Sequence, residues 1–259
     1  MCIRDRLDLV LCEFQKLKRR KFITLTMGVA CLFPLPVLFL ALRQQQAFYM
    51  LFRMVFIFGE MLFLPCVLGV LSTIIFLTED ENDVLKNILT VPVSRTKIFL
   101  SKCIMLMILA IIYCLLELSA SILFAFMIGN ASNASSFILF SILSGVFIFT
   151  CSMPVVLFVI TFGKNFTVSN IASFIYGVIC FALAFLCTGP GGEVLLKSKI
   201  GVLPIVMVFR WYLGYFPLEE RLEKFNLYVV PTPAMIGYIL IFLAITVFIG
   251  ILVYRKKEV

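Results

Sequence analysis

Six apolar runs, separated by short polar or charged stretches, set the pattern of this chain: about 22–42, 55–77, 103–127, 137–162, 168–186 and 234–254. The first, Phe22–Leu42, carries no charge. Its roughly 21 residues, at ~1.5 Å each, cross a ~30 Å hydrocarbon layer as a helix. The others are of similar length, so the pattern predicts six transmembrane helices. Pro34 and Pro36 predict a kink in the first, and Pro154 lies inside the fourth. Gly163-Lys164-Asn165 is a tight connection from the fourth to the fifth. A long segment, 187–233, separates the fifth from the sixth. Within it, Gly201–Phe216 is mostly apolar but is broken by Pro204 and Arg210 and holds the single tryptophan, Trp211. At about 16 residues it is short for a span, which predicts a re-entrant or interfacial helix.

Ahead of the first run, Leu7, Val10, Leu11, Phe14 and Leu17 recur at helical spacing, and Lys16, Lys18, Arg19, Arg20 and Lys21 crowd the end. This fits a short helix lying in the membrane surface, and equally a plain basic flank of the first span. Met1-Cys2-Ile3-Arg4-Asp5-Arg6 reads as the translation of a sequencing-library adapter. Residues 1–6 are therefore set aside as a scar, and 7–259 are taken as a single transmembrane domain.

Composition makes lipid the solvent. Hydrophobic residues are 63% of the chain and charged residues 14%, whereas a soluble domain carries ~25% charged residues to wet its surface. The net charge of +8 would suit a nucleic-acid binder, but the basic residues cluster at the ends of apolar runs, as the positive-inside rule expects. No nucleic-acid partner is expected. With six spans, the basic N-terminus, the 78–102 connection and Arg255-Lys256-Lys257 share one side, which places both termini in the cytoplasm. The nine cysteines are scattered singly without a CxxC pair, and histidine is absent. Packing as small apolar side chains is expected of them rather than metal or redox chemistry.

The most informative stretch connects the second and third runs, Glu79 to Lys102. It begins with four acids in five positions, Glu79, Asp80, Glu81 and Asp83, a distribution favourable at a helix N-terminus. Val84, Leu85, Ile88 and Leu89 then form an apolar stripe over two turns, and Pro92 stops that helix. A short amphipathic helix held between two spans suits a groove on a partner and would pass the partner's motion into both spans. An ordinary solvated loop is the alternative.

The residues of this stretch resemble a known family. Leu85-Lys86, Leu89, Pro92-Val93-Ser94-Arg95, Lys97-Ile98 and Ser101-Lys102, preceded by Glu79 or Glu81, resemble the second-to-third span connection of type-2 ABC export permeases. In that family it is the coupling helix contacting the ATPase subunit. By position, the resemblance gives that role to Glu79, Glu81, Leu85, Lys86, Leu89, Pro92, Arg95, Lys97 and Lys102. The acidic member is not unique among Glu79, Glu81 and Asp83. Glu13-Phe14-Gln15-Lys16-Leu17-Lys18-Arg19 also resembles the family's start, a surface helix before the first span. The pairing is similar to permeases for bacitracin resistance and lantibiotic self-protection.

The resemblance implies an all-α integral membrane permease of the bacterial plasma membrane. It would have six spans, an N-terminal interfacial helix, a cytoplasmic coupling helix and a long outer loop between spans five and six. A separate ABC ATPase subunit, a second permease copy or a related permease, and membrane lipids are the implied partners. No cofactor is implied, and the cargo would be an antimicrobial peptide. In agreement, the sequence has no GxxxxGK[ST] phosphate loop: Gly163-Lys164-Asn165 lacks the upstream glycine and the hydroxyl residue. The chain is thus expected to be no enzyme on its own. A permease for a drug, lipid or polysaccharide, and an ion-driven secondary transporter, are the competing readings. An intramembrane protease-like enzyme, faintly suggested by Glu219-Glu220, would need histidines.

Glu60 and Glu117 fall inside predicted spans, and Arg53 just before one. An ionisable group in the hydrocarbon costs ~2.5–3.5 kcal/mol even on insertion scales, so each should face a partner or a watery path. Arg53 and Glu60 are seven apart, one face of an α-helix two turns on. The set reads either as a polar lining for a cationic peptide, with no metal, or as a buried pairing that fixes helix packing.

Overall fold

The computed structural model describes residues 14–15, 21–37, 52–81, 94–128, 134–163, 165–187, 192–215 and 227–256, and their regular structure is entirely helical. Lipid demands this, since no water is present in the hydrocarbon to satisfy an open backbone. Helix α1 spans Lys21–Leu32. A π-helical segment, Val55–Phe63, runs directly into α2, Leu64–Glu81. There follow α3 (Arg95–Ile128), α4 (Ala134–Phe162), α5 (Phe166–Leu186), the short α6 (Gly192–Lys197), α7 (Pro204–Leu213) and α8 (Thr232–Lys256).

Five helices are long and apolar enough to cross a membrane: Phe52–Leu77, Arg95–Leu123, Phe137–Phe162, Phe166–Leu186 and Thr232–Lys256. The first predicted span is described only as a shorter apolar helix, Lys21–Val37. A turn at Phe33 interrupts it immediately before Pro34, where the proline ring disfavours helical backbone in the preceding residue. Residues 38–42 of that span lie outside the described residues. Of the predicted surface helix, only Phe14 and Gln15 are described, helical and exposed.

The helices overrun the predicted spans on both sides of the 78–102 connection. Helix α2 continues to Glu81 and α3 begins at Arg95. Glu79, Asp80 and Glu81 therefore lie in the continuation of α2 and not at the start of a new helix, which corrects their assignment to a helix N-terminus; residues 82–93 lie outside the described residues. The end of hydrophobicity does not end a helix; a breaker does, and Thr78–Glu81 contains neither glycine nor proline.

Helix α4 stands at the centre, packed against α2, α3, α7 and α8. It crosses α3 so closely that a Cβ added at Gly145 would lie 2.7 Å from the Ile111 Cα, so only hydrogen fits there. Pro154 lies within α4 without ending it. Helix α5 docks on α2 through the buried small residues Ser169, Ser173, Gly177 and Ala184. Gly69 of α2 receives Ser173, and Gly177 receives Cys66, the close small-residue packing that holds helices together where no hydrophobic force separates lipid from protein. The Thr26 and Tyr113 hydroxyls hydrogen-bond between α1 and α3.

Within the bundle, 72% of the second helix's apolar window is buried, against 28% for α5 and 17% for α8. The last two are therefore peripheral, with Val178, Ile179, Leu240 and Ile241 facing outward. Two ends can be distinguished. The proximal end gathers the start of α3 and the end of α8, where Arg95 Nη1 donates to the Arg255 carbonyl at 3.4 Å. The distal end gathers Phe52, the start of α4, and α7.

Candidate functional site

Within the distal half of the bundle, four elements bring polar groups to one place. Its floor is the π segment. An i→i+5 turn is wider than an α-turn and recurs at functional sites; here it spans nine residues, including Gly59 and Glu60. The Glu60 side chain is 1% exposed. Its carboxyl is hydrogen-bonded with Ser144 of α4 and Cys114 of α3. Glu117 of α3 is equally buried and lies against Gly59, where a Cβ would collide with its carboxyl. Gly59 is thus what lets Glu117 reach the π segment. The two carboxyls are close enough to interact electrostatically.

The fourth element is α7. Trp211 stacks on Phe140 with ring centroids 4.8 Å apart, and its Nε1 donates to Thr232 Oγ1 at 3.2 Å. Tyr212 stacks on Phe56 at 4.2 Å. These contacts carry the Tyr212 hydroxyl towards the Arg53 side chain and the Glu60 carboxyl, near enough for both charges to act on it. Arg210, which interrupts the apolar run in sequence, brackets the loop: Nε donates to the Tyr228 carbonyl at 2.8 Å and Nη1 to that of Gly201 at 3.1 Å.

Both carboxyl oxygens of Glu117 and Oε2 of Glu60 have no hydrogen-bond partner among the described residues. Buried polar groups are ordinarily satisfied, so this pair is an unfilled set of acceptors inside an apolar bundle; Ser141 Oγ, one turn before Ser144 on α4, is likewise unfilled. Chemically the pair can receive a group that donates hydrogen bonds or carries positive charge.

The structure thus brings Glu60 and Glu117 together, and Tyr212, supplied by a different helix, approaches both Arg53 and Glu60. Tyr212, Ser144, Ser141 and Cys114 were not legible as site residues. Only the Gly59-Glu60 pair left a local signal, a glycine beside an acid within a span.

The coupling residues lie elsewhere. Leu85, Lys86, Leu89 and Pro92 fall outside the described residues, and Glu79 and Glu81 are placed at the end of α2. Arg95 and Lys97 are half-buried in the first turn of α3, whose start is closed by Lys97 and Ile98 amides donating to the Ser94 carbonyl. Lys102 is fully buried, with Nζ 2.9 Å from the Ile75 carbonyl of α2 and 4.9 Å from the Phe76 ring centroid.

Among protein families, the one described as ABC-2 family transporter protein matches residues 9–180. The matched stretch contains the Glu79–Lys102 connection together with Glu60 and Glu117. No curated protein matches the chain.

Proposed function

The chain belongs to the ABC-2 family of transporter proteins, and from that premise we propose that it is the permease of a bacterial exporter that removes antimicrobial peptides from the plasma membrane. A membrane permease of this family works with an ABC ATPase. In the proposed complex the chain has six spans, the first completed by residues 38–42, and both termini are cytoplasmic. The ATPase docks on the connection between α2 and α3, through Leu85, Lys86, Leu89, Pro92, Arg95 and Lys97, with Glu79 and Glu81 at its entry. A second permease copy, or a related permease, completes the path.

The observation that carries the export role is the family match across the connection. The peptide cargo rests on the resemblance of the connection and the N-terminal stretch to bacitracin-resistance and lantibiotic permeases, and on the acceptors of Glu60 and Glu117. Lantibiotics and related peptides that carry amino groups would find in them the charge and hydrogen-bond acceptors they need.

Susceptibility of a sensitive bacterial host tests this reading. Expression of the chain with its ATPase is expected to raise the inhibitory concentration of nisin or bacitracin by roughly tenfold, since binding differences of that size follow from one charge-assisted contact. Neither subunit alone should do so. Unchanged susceptibility to both peptides, with the complex present in the membrane, would leave a drug, lipid or polysaccharide as the cargo.

A further inference from the structure

We propose that Lys102 is a positioning residue, a buried latch that makes α2, α3 and α8 move as one unit, and not a contact for the ATPase. The inference rests on the coupling role proposed for the 79–102 connection and changes what one of its residues does. By sequence position Lys102 belongs with the docking residues. Its side chain, however, is 0% exposed, so no docked subunit can reach it.

Lys102 extends instead across the helix interface. Its ammonium donates to the Ile75 carbonyl at 2.9 Å and lies 4.9 Å from the Phe76 ring centroid, so a hydrogen bond and a cation–π contact join the second turn of α3 to the proximal part of α2. The same Phe76 ring belongs to a triangle with Phe99 of α3 and Tyr254 of α8, with centroids 6.1, 6.0 and 5.7 Å apart. Gly250 of α8 lies so near the Phe99 ring that a Cβ there would strike it. One turn earlier, Arg95 reaches the Arg255 carbonyl. The opening turns of α3, which receive whatever displacement the connection transmits, are therefore tied to α2 on one side and to the end of α8 on the other.

A methionine would fill the Lys102 site with less desolvation, since a buried cation is costly and a well-packed apolar residue often replaces it without loss of stability. What methionine lacks is a bond to one particular acceptor: the ammonium bound to the Ile75 carbonyl holds α3 at one height on α2 beyond what packing alone specifies. Span six thereby becomes an output of the connection, alongside spans two and three.

The test uses the full complex with its ATPase in lipid nanodiscs. Spin labels at the exposed positions Leu123 and Ile236, on the distal parts of α3 and α8, report the α3–α8 distance with and without ATP and vanadate. In the unsubstituted complex, where the latched helices move together, vanadate trapping is expected to leave this distance unchanged. Lys102→Met is expected to retain the ATPase while letting trapping change the distance, because α3 then moves without α8. Lys102→Arg, which keeps charge and donors, should hold the distance nearly constant again. Should Lys102→Met fail to accumulate, Phe76→Leu removes the ring beneath the ammonium and is expected to let trapping change the distance in the same way. Loss of the ATPase from Lys102→Met would make the residue a docking contact and overturn the proposal. So would a distance that trapping leaves unchanged in Lys102→Met or, in its absence, in Phe76→Leu. An unsubstituted chain that binds no ATPase would overturn the coupling reading itself, before any variant is compared.

Discussion

Leu89→Asp is expected to release the ATPase subunit from the membrane complex, lowering its co-purification by about 30-fold, because a buried interface anchor is worth ~2 kcal/mol or more. Leu89 closes the apolar stripe that begins at Val84. A helix that docks by that stripe must desolvate it, and a carboxylate in the groove would be buried without a partner. Leu89→Ile keeps the apolar volume and should retain most of the association. The variant chain should still reach the membrane at normal levels, since Leu89 lies outside the apolar runs that form the spans. Undiminished ATPase in the Leu89→Asp complex would show that the stripe is a solvated loop and not a docking element.

Glu117→Gln is expected to abolish peptide resistance, a fall of about tenfold or more in inhibitory concentration on the scale of a lost charge-assisted contact. Assembly with the ATPase should be unaffected. The substitution preserves shape, so the contact with Gly59 survives. What disappears is the acid group that an arriving cationic cargo could ionise and pair with. Resistance unchanged in this variant would remove the lining role and leave Glu117 a packing residue. Loss of assembly together with resistance would point the same way.

The spans were legible because length and the absence of charge suffice to identify them: the third to sixth runs recur as α3, α4, α5 and α8 within a few residues at most ends. Their ends at the connection were not, because hydropathy marks where lipid stops and not where backbone hydrogen bonding stops. Glu60 and Glu117 could be singled out because a charge in an apolar run is conspicuous. Their surroundings could not. Tyr212 reaches the cluster from a helix some 150 residues along the chain from Glu60, and nothing local encodes that approach. The π segment was equally hidden: Val55–Phe63 is uniformly apolar apart from Glu60, and such a run fits α and π turns alike. Lys102 illustrates the opposite failure. A motif position implied a contact surface, while the fold turned the side chain inward onto Ile75 and Phe76.

The central claim is that this chain forms the passive half of an ATP-driven pump. Its most direct test is ATP hydrolysis by the tagged chain, purified in mild detergent from a bacterial host that also expresses its ATPase. ATPase activity that stays with the tag at a constant ratio of subunits, and falls with Leu89→Asp, is the predicted result. A tagged chain that confers resistance yet carries no ATPase activity through purification would contradict the account.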